Sequence, residues 1–262
     1  MSVIGRVESL WRYPVKSMRG EELGEAYLGY AGVFGDRIYA FHDTAARPGL
    51  PYLTAREQAA MLLHAPRFRH RERATKPVNL AAAESLGPGV TPLYPSPDDF
   101  AVDVETPSGA VLAIDDPALI EVLGDGLGGG HALSLLRSDR ALTDCRPVSL
   151  FSLQTVRQLG EEVGSTLDKR RFRANIYADF AEATGFAEDD LIGRRLRIGE
   201  RTVIAIVERD PRCKMITLDP DTSTPNPDIL RTVARGHDGF AGIYGAVLTE
   251  GIVRPGDTIE VS

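Results

Sequence analysis

Short apolar alternations, each cut off after a few residues by glycine or proline, recur through both halves of this chain and restrict it to many short strands with few helices. In "FAVDVETPSGAVLAIDD" Phe100, Val102 and Val104 alternate with polar or small residues, Pro107-Ser108-Gly109 turns the chain, and Val111, Leu112 and Ile114 form the return arm. A period of two sends successive side chains to opposite faces, which is how a half-buried strand separates core from solvent. Val3 to Tyr13 and Asp36 to Asp43 read the same way, separated by glycine-marked turns. "RRLRIGERTVIAIVER" reads as a hairpin turning at Gly199-Glu200, and its second arm runs into "RDPRCKMITLDPDT". The expected fold class is α+β, mainly β, with barrel-like sheets and helices packed around them.

Three helix starts stand out. Asp116 before Pro117 opens "PALIEVLG", Ser152 caps a stripe of Val156, Leu159 and Val163 that Gly164 stops, and Asn226-Pro227-Asp228 opens a short helix with Ile229, Leu230 and Val233 inward. The run "GDGLGGG" from Gly124 is the linker candidate, giving a first region of residues 1–130 and a second of 131–262. Residues 65–98, rich in proline and charge, read as an irregular surface excursion. In the second region "ALSLLRS" and "RFRANIYADF" read as strands, and "GIYGAVLTEGIVRPGDTIEV" closes the chain as two more.

Composition sets limits on function. Hydrophobic residues at 43% and charged residues at 26% are ordinary globular values. A net charge of -7 argues against nucleic acid as a partner, since phosphate-binding surfaces carry a basic surplus. No run of about 18 apolar residues and no signal-like start occur, so no membrane partner and a cytoplasmic location are expected. Cys145 and Cys213 are the only thiols, too few for a disulfide framework, a zinc CxxC pair or a four-thiolate iron-sulfur cluster. "GDGLGG" satisfies GxGxxG in form but follows a helix, where a dinucleotide site needs a strand. The five histidines His42, His64, His70, His131 and His237 lack ligand spacing and read as surface or packing. Arg67, Arg69, Arg71, Arg73 and Lys76 read as a solvated loop or as a docking patch for an acidic partner.

Cys213 itself has two readings. A lone cysteine is most often a small buried hydrophobe, yet Arg209, Arg212 and Lys214 would favour the thiolate, the form that attacks electrophiles or binds a soft metal. Cys145, between Asp144 and Arg146, reads as structural, and "DPDT" reads as a turn. Lys16 and Ser17 in "YPVKS", Asp36 and Arg37 in "GDR", and Arg173 and Asn175 in "RFRAN" are each ordinary surface residues by themselves. Gathered in one pocket they would hold a phosphate and a polar heterocycle.

"YPVKSMRG", "GVFGDRIYAF", "PVSLFSLQTVRQL", "RFRANIYADF", "DDLIGRRLRIGERTVIAIVERDPRCKMITLDPDT" and "GIYGAVLTEGIVRPGDTIEV" occur in the order in which they resemble proteins with the MOSC domain. The likeness is to the mitochondrial amidoxime-reducing components and their bacterial relatives, over nearly the whole chain. It implies an N-terminal MOSC-associated β-barrel region and a MOSC domain that together enclose molybdopterin-bound molybdenum, with Cys213 as the protein's ligand to the metal. It places Lys16, Ser17, Arg37, Arg173, Asn175 and Arg212 around the pterin and its phosphate, and Thr155 where the family uses a hydroxyl. The implied activity is reduction of small N-hydroxylated substrates. Without cysteines for a cluster, electrons are expected from a separate ferredoxin, flavodoxin or cytochrome b5 type protein and its reductase. "MITLDPDTST" departs from the family's usual "TTVDPDTG", so Met215 and Ile216 are expected to alter the substrate side. The alternative role is a sulfur or molybdenum-cofactor carrier that uses Cys213.

Overall fold

The computed structural model describes residues 2–85, 98–138 and 141–262. Its elements are mostly short strands, with four α-helices among the described residues. None of these helices is long and apolar enough to cross a membrane. The chain forms two compact units, one of residues 1–12, 20–33 and 143–262, the other of 13–19 and 34–142.

The first unit is built on a closed seven-stranded barrel. Around it the strands run Ile176–Phe180, Val148–Ser152, Phe240–Thr249, Thr202–Pro211, Arg195–Ile198, Thr258–Val261 and Ser2–Arg12, which pairs back with Ile176–Phe180 from Leu10↔Ile176 to Gly5↔Phe180. Closure leaves no open edge within the ring. Val148–Ser152 and Ile176–Phe180 are parallel, a pairing that needs a long crossover, and the helix Leu153–Val163 supplies it. Apolar residues of these strands, among them Val7, Leu10, Leu196, Ile204, Ile206, Ile243 and Ile259, fill the interior.

A second layer covers one side of this barrel. Phe151, Leu159, Phe172, Tyr177, Ile216, Ile229 and Val233 form its apolar cluster, which seats the helices Leu153–Val163 and Pro227–Gly236. Both helices begin as their cap residues predict, and the first also ends as Gly164 predicts. Ser152 Oγ accepts from Thr155 N at 3.0 Å, Asn226 Oδ1 accepts from Asp228 N at 3.1 Å, and Gly164 takes the left-handed conformation at φ 75°. Gly242, at φ 77°, is required for this layer, because a Cβ there would sit 2.5 Å from the Phe151 ring and 3.0 Å from both Arg212 Nη2 and Leu150 O. Gly242→Ala is therefore expected to cost about 3 kcal/mol or more, from overpacking and left-handed strain together, read as a lowered urea midpoint.

The second unit carries the hairpin Val102–Glu105 and Val111–Ala113, extended by Ala65–Phe68, and a separate pair of Tyr39–Asp43 with Leu133–Arg137. Phe100 packs against Phe34 and Phe68 with ring centroids 5.1 and 5.4 Å away. The helix Pro117–Gly124 follows Asp116, whose side chain accepts from Ala118 N at 2.9 Å. His64 is buried here, with Nδ1 3.0 Å from Ala60 O and Nε2 without a hydrogen bond. Burial pushes its titration below 6.5, outweighing the Ala60 contact. The unfolded chain then takes up this proton at a higher pH than the folded one, so stability holds above pH 6.5 and falls as pH drops below it. The wild type should lose more melting temperature between pH 7.5 and 5.5 than His64→Gln does, and equal losses would exclude His64 as the source.

Several sequence expectations need correction. "RFRANIYADF" becomes a strand only at Ile176, since Lys169–Phe172 is a 3-10 turn and Arg173 is left-handed. The closing segment holds three strands, because Gly251–Val253 leaves the barrel to pair with Ala26–Gly29. The run from Gly124 lies inside the second unit, and "ALSLLRS" pairs within that unit, not with the barrel. The 65–98 excursion contains the strand Ala65–Phe68 and the helix Leu80–Ser85, while its residues 86–97 lie outside the described residues. Within it Arg67, Arg69 and Arg73 pair with Glu105, Asp103 and Asp99, so much of the basic patch is neutralised by nearby carboxylates.

Candidate functional site

The residues singled out by sequence fall in both units. In the barrel unit, Cys213 follows the strand Thr202–Pro211 and caps the 3-10 turn Lys214–Thr217 in extended conformation, φ -131° and ψ -178°. It is half-buried and belongs to neither apolar cluster of this unit. The adjacent Arg212 turns inward. Its Nε donates to Ala241 O at 2.6 Å and its Nη1 to Phe172 O at 3.0 Å, and its guanidinium lies 5.1 and 5.7 Å from the Phe151 and Phe172 ring centroids. Through Phe172 O it holds the turn that ends in Arg173, half-buried at φ 53°, next to the strand end that carries Cys213.

The "DPDT" segment is more than a turn. Asp219 Oδ1 accepts from Asp221 N and Thr222 N at 3.1 and 3.0 Å, and its Oδ2 accepts from Arg171 at 2.7 Å. Arg171 also donates to Thr217 O at 2.9 Å, and Arg170 bridges Asp168 and Asp221. Burial raises the Asp168 and Asp219 carboxyls, but the hydrogen bonds each accepts outweigh this and hold both below the ordinary carboxylate range. These ion pairs fasten the turn before Arg173 to the loop after Cys213.

Other expected contacts point elsewhere. Thr155 is fully buried, donating to Glu188 at 2.9 Å and accepting from Phe186 N at 2.7 Å. Asn175 is buried too: Oδ1 accepts from Ser149 N and Oγ at 3.2 and 3.1 Å, and Nδ2 donates to Trp11 O at 3.3 Å. Both hydroxyl and amide are engaged within the barrel unit. Ile216 is a core residue at 2% exposure, so only half-buried Met215 of that pair can meet a substrate. The cations near Cys213 are also occupied, with Arg209 over the Phe240 ring at 4.3 Å and Arg212 paired with Asp210 at 2.8 Å. Cys145 is exposed and not a packing residue; partial burial and the carboxylates of Asp210, Asp144 and Glu208 push its thiol up, away from the reactive form.

In the second unit Lys16 is buried, donating from Nζ to Leu142 O at 2.8 Å with the Tyr52 ring centroid 5.1 Å away. Arg37 pairs with buried Asp36 and lies 4.6 Å from the Tyr13 ring centroid. Asp36 in turn accepts from Tyr13 N at 2.8 Å. Ser17 is buried beside Lys16. Ser17, Arg37 and Arg173 have φ of 66°, 47° and 53°, three of only seven left-handed non-glycine residues described. Such backbone is uncommon and persists where surrounding structure enforces it, often at ligand clamps. Sequence reasoning missed Asp210, Glu188 and Ser149, the buried partners of Arg212, Thr155 and Asn175. For Asp210 a signal existed, its place two residues before Arg212 at the end of a strand.

Among the described residues no three His, Cys, Asp or Glu side chains converge as a metal site. A metal at Cys213 would thus draw its remaining ligands from a bound cofactor. The model of the MOSC domain matches residues 137–260, and that of the MOSC N-terminal beta barrel domain matches residues 4–89. Among solved structures the chain is similar to the YUAD protein from Bacillus subtilis, with a TM-score of 0.49 and 14% identity over 98% of this chain and 94% of that one. It is also similar to YiiM from Geobacillus stearothermophilus, with a TM-score of 0.36 and 19% identity over 45% and 54% of the two chains. For YiiM from Escherichia coli the values are 0.34, 17%, 45% and 54%. No curated protein matches the chain.

Proposed function

We propose that this chain, which carries a MOSC N-terminal β-barrel domain followed by a MOSC domain, is a molybdenum-cofactor-binding oxidoreductase for small N-hydroxylated compounds of the amidoxime or N-hydroxylated base type. The observation that carries this reading is the left-handed backbone at Ser17, Arg37 and Arg173, three residues whose side chains suit a phosphate and a pterin. Each unit carries donors that suit such a group: in the barrel unit a half-buried thiol at Cys213 and a guanidinium at Arg173, and in the second unit an ammonium, a hydroxyl and a guanidinium at Lys16, Ser17 and Arg37. Thr155, Asn175 and Arg212 serve from within the barrel unit, their polar atoms already bonded to protein.

Molybdopterin-bound molybdenum, when held, supplies two-electron reduction at an N–O bond. Cys213 contributes a soft thiolate to the metal. Arg173, Lys16 and Arg37 offset the phosphate charge. Met215, two residues beyond Cys213, offers an apolar thioether to the substrate side. The overall change consumes two electrons and two protons and converts the N-hydroxyl compound to its amine or amidine and water. With two cysteines the chain builds no iron-sulfur cluster, which makes a separate ferredoxin, flavodoxin or cytochrome b5 type donor and its reductase part of the proposal.

The test is reduction of benzamidoxime by molybdenum-loaded protein with reduced viologen as donor. Turnover is expected with viologen and absent with NADH alone. Should the loaded protein reduce no N-hydroxylated compound under viologen, yet pass sulfur or cofactor to an acceptor enzyme, the carrier role replaces the reductase.

A further inference from the structure

Asp210 lies near the end of the strand Thr202–Pro211 and Arg212 just beyond it, three residues and one residue before Cys213. Both side chains are sealed from solvent, at 7% and 4% exposure, and Nη2 of Arg212 comes within 2.8 Å of Asp210 Oδ2. That nitrogen has no hydrogen-bonded partner and no solvent access, so nothing arriving from outside reaches it. The remaining guanidinium hydrogens clamp two backbone carbonyls from different elements. One is Ala241 O on the strand Phe240–Thr249, and the other is Phe172 O immediately before left-handed Arg173. The Arg212 backbone is fixed as well, N donating to Gly239 O at 2.8 Å.

We propose that Arg212 and Asp210 form a positioning pair, which holds the backbone at Cys213 and the backbone at Arg173 in one fixed relation. A planar guanidinium can reach two carbonyls and a carboxylate at once, whereas an ammonium cannot match those directions. Asp210 compensates a charge that is otherwise expensive to bury, and so keeps the fork in place. The neighbouring charges are engaged elsewhere: Arg209 with Phe240 and Asp238, Arg171 with Asp219. The inference deepens the molybdenum reading and rests on it for the meaning of the two positions, but its geometry is a property of the protein alone.

The experiment compares Asp210→Asn, Arg212→Lys and the paired apolar replacement Asp210→Leu with Arg212→Met, all as full-length protein without cofactor. Amide hydrogen exchange at Arg173, position 212 and Ile216 should accelerate about ten-fold or more in each, the scale expected for losing a charge-assisted hydrogen bond or the partner of a buried charge. Barrel amides such as Ile204 and Ile243 should be unchanged. The apolar pair should melt at or above the wild type, because a well-packed hydrophobic pair replaces a buried ion pair without loss, so its local exchange cannot be blamed on unfolding. Exchange that is unchanged at those three amides, or accelerated equally throughout the barrel, overturns the proposal. A second arm measures molybdenum per chain after expression in a host that makes molybdopterin. Arg212→Lys should lose the metal about ten-fold, as expected for lost geometry; retention at the wild-type level means that charge alone sufficed and overturns the positioning role. If the wild type holds no molybdenum, the function proposed above fails, and the exchange arm still decides the pair.

Discussion

Replacing Cys213 with alanine is expected to abolish molybdenum-dependent reduction of N-hydroxylated compounds while the protein stays folded. The residue caps a short 3-10 turn, belongs to neither apolar cluster of the barrel unit, and is half exposed, so losing its sulfur removes little packing. A surface-like substitution of this kind shifts stability by about 0.5 kcal/mol, far too little to unfold a chain of this size. The chemical loss is expected to be total because the proposed role makes this thiolate the protein's own ligand to the metal, and among the described residues no three His, Cys, Asp or Glu side chains converge to hold it instead. Cys145→Ala is the control. Its thiol is exposed, pushed away from the thiolate by burial and carboxylates, and should be silent in both turnover and melting. The measurements are benzamidoxime turnover with reduced viologen, a thermal melt, and the sulfur coordination number of bound molybdenum by X-ray absorption. Wild-type turnover in the Cys213 variant, or an unchanged sulfur count, would remove the residue from the site.

What could be read from sequence was what local chemistry decides. Asp116, Ser152 and Asn226 each satisfy an amide at a helix start, and that bond reaches only two or three residues along the chain. The hairpins turning at Gly199 and at Pro107-Ser108-Gly109 were visible for the same reason. Division into units was not, because the chain passes between them after Arg12, Arg19, Val33 and Leu142, and the partners that decide it are distant. Gly124 to Gly130 looks like a linker by composition, yet flexible composition does not say which side of a boundary a segment packs on. The site was half visible. Positive charge around Cys213 is plain in the sequence, but the pairing of Arg212 with Asp210, and of Arg171 and Arg170 with Asp219 and Asp221, depends on which faces meet. Arg173 was read as strand because "RFRAN" has no glycine to announce a left-handed residue.

That absence of glycine makes Arg173→Gly the sharpest separation of ligand binding from folding. At φ 53° an arginine pays a penalty of roughly 1–2 kcal/mol for its Cβ that glycine does not. Glycine in turn loses more chain entropy on folding, by roughly 0.5–1 kcal/mol, so the variant without cofactor should melt close to the wild type. Molybdenum content should move the other way. A guanidinium hydrogen bond to phosphate contributes about 1.5–3 kcal/mol, which corresponds to at least a ten-fold loss of cofactor affinity when the side chain is gone. Lys16→Gln should lose cofactor similarly. Arg37→Gln is a poorer probe, since it strands buried Asp36 without its ion-pair partner and should destabilise the apo-protein as well. A structural role for Arg173 predicts the reverse pattern, a lower melting temperature with metal content intact, and that outcome would return the residue to the scaffold. Loss of metal at constant stability is the pattern that a strained, enforced ligand clamp produces, because the strain is maintained for the sake of what the side chain holds.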